Sequence, residues 1–132
     1  LIISVPGKPP AVCDSLVELL DLYPTLASLC GLDVPQRLQG KDVSQMLDDP
    51  TVEVRDAAFC VAPSSKGFLI REDKWAYLQY SEDAAGGREL FDMHADPKQF
   101  TNLASAPEHA EVVARLQAKL ASKLEELRDN DL

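Results

Sequence analysis

The three cysteines of this chain are its strongest candidates for covalent or metal chemistry. Cys13, Cys30 and Cys60 are widely spaced, and no Cys-x-x-Cys pair or Cys/His cluster predicts a zinc site. An odd and sparse set of cysteines also does not indicate a disulfide framework. We therefore expect isolated thiols that are partly or wholly buried, as is usual for free cysteine.

The two histidines give no catalytic pattern. His109 lies at the start of a long helical pattern, where an exposed surface histidine is expected. His94 is flanked by Asp92 and Asp96, and a cluster of carboxylates and imidazole can bind a metal ion. One short loop supplies few ligands, however, so a role in stabilising that loop is the stronger hypothesis.

The remaining polar clusters lie in predicted turns. Asp48-Asp49 and Glu82-Asp83 are adjacent acidic pairs, for which solvated turn positions are the usual case. The Ser-Ser-Lys-Gly segment that begins at Ser64 joins two predicted strands and is compatible with an anion contact, although an ordinary hairpin loop is favoured. No phosphate-binding glycine motif and no Gly-x-Ser-x-Gly motif occurs. The residues alone predict no evident active site.

The first predicted element is a strand. Leu1 to Val5 is a short apolar run ended by Pro6-Gly7, which is typical of a strand buried on both faces of a parallel sheet. No partner of that type follows in the sequence, so we expect an orphan strand. Residues 1–7 are expected either to be disordered or to pair with a second copy of the chain or with another substitute strand edge.

Helical segments are predicted next. Ser15 to Glu18 matches the capping-box pattern, which indicates a helix start. Either one helix kinks at Pro24, or an element ends near Leu20 and a new helix follows with Asp21 as its N-cap. We prefer the second alternative, because proline is tolerated in a first turn. Gly31 is expected to end that helix.

The second part of the chain changes character and predicts an antiparallel sheet. Short connections join four predicted strands, at residues 57–62, 66–71, 75–80 and 89–93. A long helix at residues 108–128 follows, with one stripe of valines and leucines. The predicted fold class is α+β: a small four-stranded antiparallel sheet packed against a long C-terminal helix, preceded by a strand and a helix. Trp75 is expected to be at least partly buried between sheet and helix.

Charge and length exclude several classes of protein. The 132 residues fit one small domain, and 13 basic against 22 acidic residues give a net charge of −9. Nucleic acids and anionic membrane surfaces require a basic face, so neither is an expected partner. No apolar run reaches the ~18 residues that a membrane span needs.

Three segments in the first half of the chain resemble motifs that occur in the same order in one known family. Leu1 to Gly7 (LIISVPG) resembles the strand PLI-x-x-PG. Leu16 to Leu32 (LVELLDLYPTLASLCGL) resembles V-x-x-x-D-L-x-PTL-x-x-L-x-G. Pro35 with Leu38 to Asp42 (LQGKD) resembles P-x-x-x-x-GKSL. Together these segments resemble a late part of the sulfatases of the alkaline phosphatase superfamily.

The second half continues this resemblance in the same order. Arg71 to Tyr77 (REDKWAY) resembles R-T-x-x-W/Y-K-Y. Glu89 to Asp92 (ELFD), followed by Asp96-Pro97 and Thr101 to Leu103, resembles ELYDL-x-x-DP-x-E-x-x-NL. The resemblance covers essentially the whole chain, and the subgroup it most resembles is iduronate-2-sulfatase-like.

The resemblance implies that this chain is a C-terminal part of a sulfatase and that the catalytic domain lies elsewhere in the parent protein. Residues 1–50 would be the tail end of the main sulfatase domain, with a strand, helix and loop left over from its α/β core, and residues 51–132 the C-terminal sheet and helix subdomain. A chain that opens inside a strand is expected to be a fragment, and its expected partners are the missing N-terminal catalytic domain and, in the parent, a sulfated substrate. The residues leave localisation open; for the parent we expect the periplasm or secretion.

The resemblance also implies the chemistry of the parent. In the family, a cysteine in a Cys/Ser-x-Pro-x-Arg motif becomes formylglycine, and paired aspartates hold a divalent metal, usually calcium. None of the three cysteines lies in that motif, and Asp48-Asp49 lies in the wrong segment. We therefore expect no catalytic residue, no metal ligand and no cofactor in this chain, and the fragment alone is expected to be inactive.

Loops of the subdomain are implied to border the substrate pocket of the parent. The residues expected there are Gln39 and Lys41 in one loop, and Ser64, Ser65 and Lys66 in another. Two alternatives stay open: a stand-alone α+β interaction module, and a fragment of a related phosphatase or phosphonate hydrolase.

Overall fold

The chain divides into two compact units, Leu1–Asp56 and Ala57–Leu132. The computed structural model describes residues 1–62 and 66–128. No helix within these residues is long and apolar enough to cross a membrane. Each unit is built from its own elements and its own buried residues, and each is described by itself.

The first unit contains a helix, α1, at Leu22–Leu29, preceded directly by a 3-10 turn at Leu19–Asp21 and followed by another at Ser44–Leu47. Asp21 is the N-cap residue of α1, and Pro24 lies in its first turn. Backbone N–H groups in a first turn have no carbonyl partner within the helix, so a proline there costs no hydrogen bond. The second of the two alternatives for this segment is therefore confirmed.

Helix α1 ends as its sequence predicts. Gly31 has a φ of +67°, a left-handed conformation that glycine adopts without a steric penalty. The Gly31 N–H donates to the Ser28 carbonyl (3.0 Å), and the Leu32 N–H donates to the Ala27 carbonyl (2.9 Å). These two hydrogen bonds form a Schellman motif, which satisfies carbonyls that the helix end leaves open.

The capping box expected at Ser15 is wrong. The Ser15 hydroxyl donates instead to the Val52 carbonyl (2.7 Å), and the helical turn begins three residues later than the pattern predicts. There the backbone N–H of Glu18 donates to the Asp21 carboxylate (2.7 Å). A capping box is therefore present, but it lies at Glu18 and not at Ser15. The Ser15 hydroxyl is not available as a cap, because it binds the distant Val52 carbonyl.

The strand expected at Leu1 to Val5 is also corrected. This segment has no strand conformation, and within residues 1–62 and 66–128 no strand pairs with it. The Ile2 side chain is 96% exposed. A strand needs a neighbour to satisfy its backbone N–H and C=O groups, and without one the apolar sequence alone does not hold the extended ladder geometry.

The second unit is a four-stranded antiparallel sheet with a long helix. The strands are β1 (Ala58–Ala62), β2 (Gly67–Arg71), β3 (Trp75–Tyr80) and β4 (Arg88–Asp92), in the order β1-β2-β3-β4. A 3-10 turn at Pro107–His109 leads into α2, Ala110–Arg128. The predicted α+β fold class is confirmed.

The core of this unit lies between the sheet and α2. The strand register aligns Ile70, Tyr77 and Leu90 across three strands, and all three are fully buried. They pack with the apolar stripe of α2, formed by Val113, Leu116 and Leu120. Burying each such side chain stabilises the fold by roughly 1.5–3 kcal/mol.

Trp75 lies at the edge of this core. It is half-buried and packs against the buried cluster, and its ring meets the His109 ring edge-on with centroids 5.5 Å apart. The expectation of a partly buried Trp75 is confirmed. His109 is half-buried by the same contact, so the expected exposed surface histidine is wrong.

Candidate functional site

The loop that contains Gln39 and Lys41 is held against the turn before α1. Gly40 packs so closely on this turn that a Cβ atom at its position would lie 2.0 Å from the Leu20 carbonyl oxygen. The next residue, Lys41, donates its backbone N–H to the Asp21 carboxylate (2.8 Å). The first contact explains why a glycine occupies position 40, and the second fixes the backbone of the residue that follows it.

Asp21 is the centre of a buried ion cluster in the first unit. Its side chain is 0% exposed and receives hydrogen bonds from the Arg55 guanidinium, with Nη2 of Arg55 2.6 Å from Oδ1 of Asp21 and a second, parallel contact from Nη1. The backbone N–H groups of Glu18 and Lys41 complete its shell. Such a two-pronged pair has the strongest geometry available to a carboxylate and a guanidinium.

The electrostatics of this cluster follow from the balance of burial and hydrogen bonding. Burial alone raises the pKa of the Asp21 carboxyl, but hydrogen bonds from Arg55 and from two backbone N–H groups outweigh burial and lower that pKa below its ordinary value. The hydrogen bond to Asp21 raises the pKa of Arg55. Glu18 lies 3.6 Å from Arg55 and adds a second negative charge. The cluster is therefore charged at neutral pH.

Gln39 and Lys41 are both exposed on the loop that this cluster fixes. The Lys41 ammonium donates to the Val54 carbonyl at 2.5 Å. An ammonium has three N–H donors, so a contact with one carbonyl does not exhaust it. The backbone beneath these side chains is fixed by Gly40 and Asp21, which is the arrangement that a recognition loop requires. Their contact with a substrate stays a prediction.

The second predicted loop is described only at its end. Ser64 and Ser65 lie outside the described residues. Lys66 is exposed, has a φ of +50°, and accepts a hydrogen bond at its carbonyl from the Ser81 N–H (2.9 Å), directly before β2. Lys66 belongs to the second unit, whereas Gln39 and Lys41 belong to the first. The role of this loop also stays a prediction.

Two structural groups were not found by sequence reasoning. Arg55 lies 34 residues from Asp21 and belongs to no periodic pattern, so no local signal indicated the ion pair. Glu72 binds both Arg115 (2.8 Å) and Lys119 (2.8 Å) of α2. Of these, the spacing of Arg115 and Lys119 by one helical turn was a usable signal, because it places two cations on one side of the helix.

The His94 side chain contacts the turn between β2 and β3, and the role expected for it in stabilising its own loop stays a prediction. Its Nε2 atom lies 3.0 Å from Oδ2 of Asp73, and the Asp92 carboxylate accepts the backbone N–H groups of His94 and Ala95 at 3.0 Å each. In the part of the chain that the structure describes, no three His, Cys, Asp or Glu side chains come together as a metal site. The residues described therefore do not fit a calcium ion, and none of the three cysteines lies in the motif in which the sulfatase family forms formylglycine.

The cysteines differ in part from expectation. All three are free thiols; Cys13 is half-buried, while Cys30 and Cys60 are exposed. The prediction of partly or wholly buried thiols is thus wrong for Cys30 and Cys60. Cys30 lies at the C-cap of α1 and Cys60 on the outer strand β1, and neither is covered by its own unit.

A groove of about 640 Å³ lies in the first unit. Its walls are the segment Leu1 to Val5 on one side and Val43, Met46 and Leu47 on the other. Lys8, also at the groove, places its ammonium against the Asp48 carboxylate, so its charge is already matched. This lining does not resemble a site built for a sulfate ester.

The four-stranded antiparallel sheet followed by a long helix is the arrangement of a sulfatase C-terminal domain. Residues 1–128 match the family described as N-sulphoglucosamine sulphohydrolase, C-terminal, and the chain belongs to that family.

Individual relatives agree with this assignment. An ulvan-active sulfatase of Formosa agariphila is 33% identical over 117 residues, which is 83% of this chain and 22% of that protein. Arylsulfatase K of Bos taurus is 31% identical over 120 residues, or 82% of this chain and 22% of that protein. The chain thus spans about a fifth of the length of these curated relatives.

Solved structures show the same fold. A 2-O GAG sulfatase is similar with a TM-score of 0.70 and 27% identity, covering 83% of this chain and 25% of that one. A phosphonate monoester hydrolase of Agrobacterium radiobacter is similar with a TM-score of 0.62 and 25% identity, covering 80% of this chain and 24% of that one.

Proposed function

We propose that this chain serves as the C-terminal part of a sulfuric ester hydrolase, in which it supports the fold and borders the substrate pocket without supplying a catalytic group. The observation that carries this proposal is the family match over residues 1–128, combined with relatives of which the chain covers only about a fifth. The catalytic part of the parent would then be formed by an N-terminal domain.

The residues of this chain support a non-catalytic role. None of Cys13, Cys30 and Cys60 is followed by the Pro-x-Arg pattern that formylglycine formation needs. In the parent, formylglycine and calcium would supply a nucleophile and offset the charge of the sulfate, and their ligands would lie in the N-terminal catalytic domain. The buried charges of Asp21 and Arg55 neutralise each other and hold a loop, which is a supporting function.

The two loops would then form part of the pocket wall. Residues 1–50 would complete the main domain of the parent, and Gln39 and Lys41 would face its substrate from a backbone fixed by Gly40 and Asp21. Ser64, Ser65 and Lys66 are proposed to contact the substrate as well, as residues of the second predicted loop. An amide and two cations are suitable groups to recognise an anionic carbohydrate.

The substrate class is proposed from the relatives. Their names include an ulvan-active sulfatase and a 2-O GAG sulfatase, and the family description names a sulphoglucosamine sulphohydrolase. A sulfated polysaccharide or one of its fragments is the substrate that unites them. An iduronate-2-sulfatase-like parent, as the motif resemblance implies, belongs to this class and is our finer proposal.

A phosphonate monoester hydrolase parent is the second candidate. The structural similarity to the Agrobacterium radiobacter enzyme favours it, although at a lower TM-score than the GAG sulfatase. Both reactions cleave an ester bond at a tetrahedral sulfur or phosphorus centre of an anionic substrate, so a supporting domain can serve either. A stand-alone interaction module has no comparable observation in its favour.

The test uses the full-length product of the gene that encodes this chain. Its turnover of 4-nitrophenyl sulfate, of a phenyl phosphonate ester and of sulfated disaccharides should be measured with and without calcium. We expect sulfate ester hydrolysis to dominate, and we expect residues 1–132 alone to show no turnover. Phosphonate hydrolysis as the main activity would favour the second candidate, and sulfate turnover by the isolated chain would overturn the supporting role.

A further inference from the structure

Helix α1 and the three residues that follow it carry no charged side chain. Between Asp21 and Asp33 the sequence reads LYPTLASLCGL. One side of the helix is used within the first unit, where Pro24, Thr25 and Ala27 are buried and the Thr25 hydroxyl accepts the Val43 N–H (3.0 Å). A helix at a protein surface normally presents charged or polar residues on its other side.

The other side of α1 is apolar and open to solvent. Leu19 is 86% exposed, Tyr23 60% and Leu26 54%, and Cys30 is exposed as well. Their spacing places these four residues along one side of the helical segment. We call Leu19, Tyr23, Leu26 and Cys30 the α1 stripe. A helix that is apolar on both sides is a buried helix, with a packed layer against each side.

We propose that the α1 stripe is an intramolecular docking surface that packs against the catalytic part of the parent sulfatase. The identity of this occupant rests on the function proposed above. The curated relatives extend well beyond the matched segment, which covers 22% of the ulvan-active sulfatase, so a parent of similar length has additional chain that can cover the second side of this helix.

A second copy of the chain is the weaker occupant. Stable interfaces between proteins bury roughly 800 Å² on each partner. Four partly exposed side chains, of which Cys30 is small, offer less than that. The α1 stripe is therefore too small to hold a dimer by itself, but it suits one contact within a larger covalently continuous core, where no association entropy is lost.

Cys30 provides a direct test, because its thiol lies in the α1 stripe. The full-length protein is treated with iodoacetamide in its native state and after unfolding in guanidinium, and labelling of the Cys30 peptide is followed by mass spectrometry. We expect native labelling to be at least about tenfold slower than labelling of the unfolded protein, since a covered thiol reacts only when it opens. Equal rates would overturn the proposal. Protection that disappears when the protein is diluted to a monomer would also overturn it, in favour of a second copy.

A pair of charge substitutions gives an independent readout. In the full-length protein, Leu26→Lys places a cation in the α1 stripe, while Gln36→Lys places the same cation on an exposed loop position of the same unit. We expect Leu26→Lys to lower the melting temperature by at least several degrees and Gln36→Lys to leave it unchanged. Equal melting temperatures for the two variants would overturn the proposal.

The thiol labelling and the melting temperatures are both independent of catalysis. A full-length protein that protects Cys30 but does not hydrolyse sulfate esters would therefore refute the proposed function and leave the docking surface supported.

Discussion

Nη2 of Arg55 lies 2.6 Å from Oδ1 of Asp21, in an ion pair that joins residues 34 positions apart and leaves both side chains almost fully buried. The same carboxylate accepts the backbone N–H groups of Glu18 and Lys41, so one side chain connects the start of α1, the loop at residues 39–42 and the segment around residue 55. Because this one carboxylate binds all three segments, the ion pair is expected to contribute strongly to the stability of the first unit.

Replacement of Arg55 should therefore lower the free energy of unfolding by a large amount. Arg55→Met leaves Asp21 buried without its cationic partner, and loss of one partner of a buried pair typically costs about 3–5 kcal/mol. Urea unfolding measures the change in the free energy of unfolding. Arg37→Met is the control, because Arg37 is exposed and this change should stay within about 0.5 kcal/mol. Similar losses for both variants would show that the ion pair does not stabilise the unit.

Acid should weaken the same cluster. The folded-state pKa of Asp21 lies below its ordinary value of 3.8, because the hydrogen bonds it accepts outweigh its burial. A lowered folded pKa contributes stability that is fully present above the unfolded pKa and is lost as the pH falls through the folded pKa. Glu72, whose pKa is lowered by Arg115 and Lys119, acts in the same direction.

We therefore expect the melting temperature to fall as the pH drops below about 4, the range in which unfolded aspartate and glutamate titrate. In Asp21→Asn the stability at pH 7 should be lower and its decline with acid shallower, because one titrating group is gone. Thermal melts across this range, with Asp14→Asn as the control for a carboxylate of the same unit, compare the slopes. An acid decline of unchanged slope in Asp21→Asn would contradict the assignment.

Gly40 should tolerate no larger residue. A Cβ atom would lie 2.0 Å from the Leu20 carbonyl oxygen, so Gly40→Ala must displace backbone, and such overpacking costs roughly 1–3 kcal/mol or more. Gly31→Ala provides the comparison, since Gly31 has open space around it and only the strain of a positive φ, roughly 1 kcal/mol. Urea unfolding should rank Gly40→Ala as the more destabilising change, and the reverse order would show that the loop does not pack as described.

The parts of this structure that the sequence predicts are those governed by neighbouring residues. Asp21, Pro24 and Gly31 act through local backbone chemistry, and α1 begins and ends where they indicate. The four strands were located to within one residue at each end, because alternation and short turns are also local signals.

The parts that escaped prediction depend on distant partners. Ser15 has the pattern of a helix cap, but its hydroxyl binds Val52, which no local rule could reveal. From the sequence alone, Arg55 is indistinguishable from a surface cation, and only the folded structure shows its ion pair with Asp21. The apolar run at Leu1 to Val5 predicts a strand correctly only where a neighbouring strand exists to pair with it.

Trp75 should make a large contribution to the second unit. It packs against the cluster around Tyr77 and touches His109, so Trp75→Ala should cost roughly 3 kcal/mol or more. It is also the single tryptophan of the chain, so its emission reports its environment directly. We expect emission shifted to shorter wavelength than that of the unfolded chain. Phe100→Ala is the control, because Phe100 is exposed and should change stability little. Emission typical of a fully solvated indole in the folded protein would refute the burial of Trp75.

Leu1 to Gly7 should be separable from the stability of the second unit. The segment forms no strand, and its apolar side chains, with Ile2 almost fully exposed, invite pairing with another chain. We expect deletion of residues 1–7 to leave the melting of the unit formed by residues 57–128 nearly unchanged and to reduce any self-association of the chain. Sedimentation measures the self-association. Thermal melts followed by Trp75 fluorescence measure the stability of the unit formed by residues 57–128, since Trp75 lies in that unit. The matched control is Ile2→Lys, which keeps the chain length and replaces an exposed apolar side chain with a charged one, and it should reduce association in the same way. If the deleted protein unfolds, the segment is an integral part of one cooperative domain, and the view of residues 1–7 as a strand that belongs to a sheet of the parent is wrong.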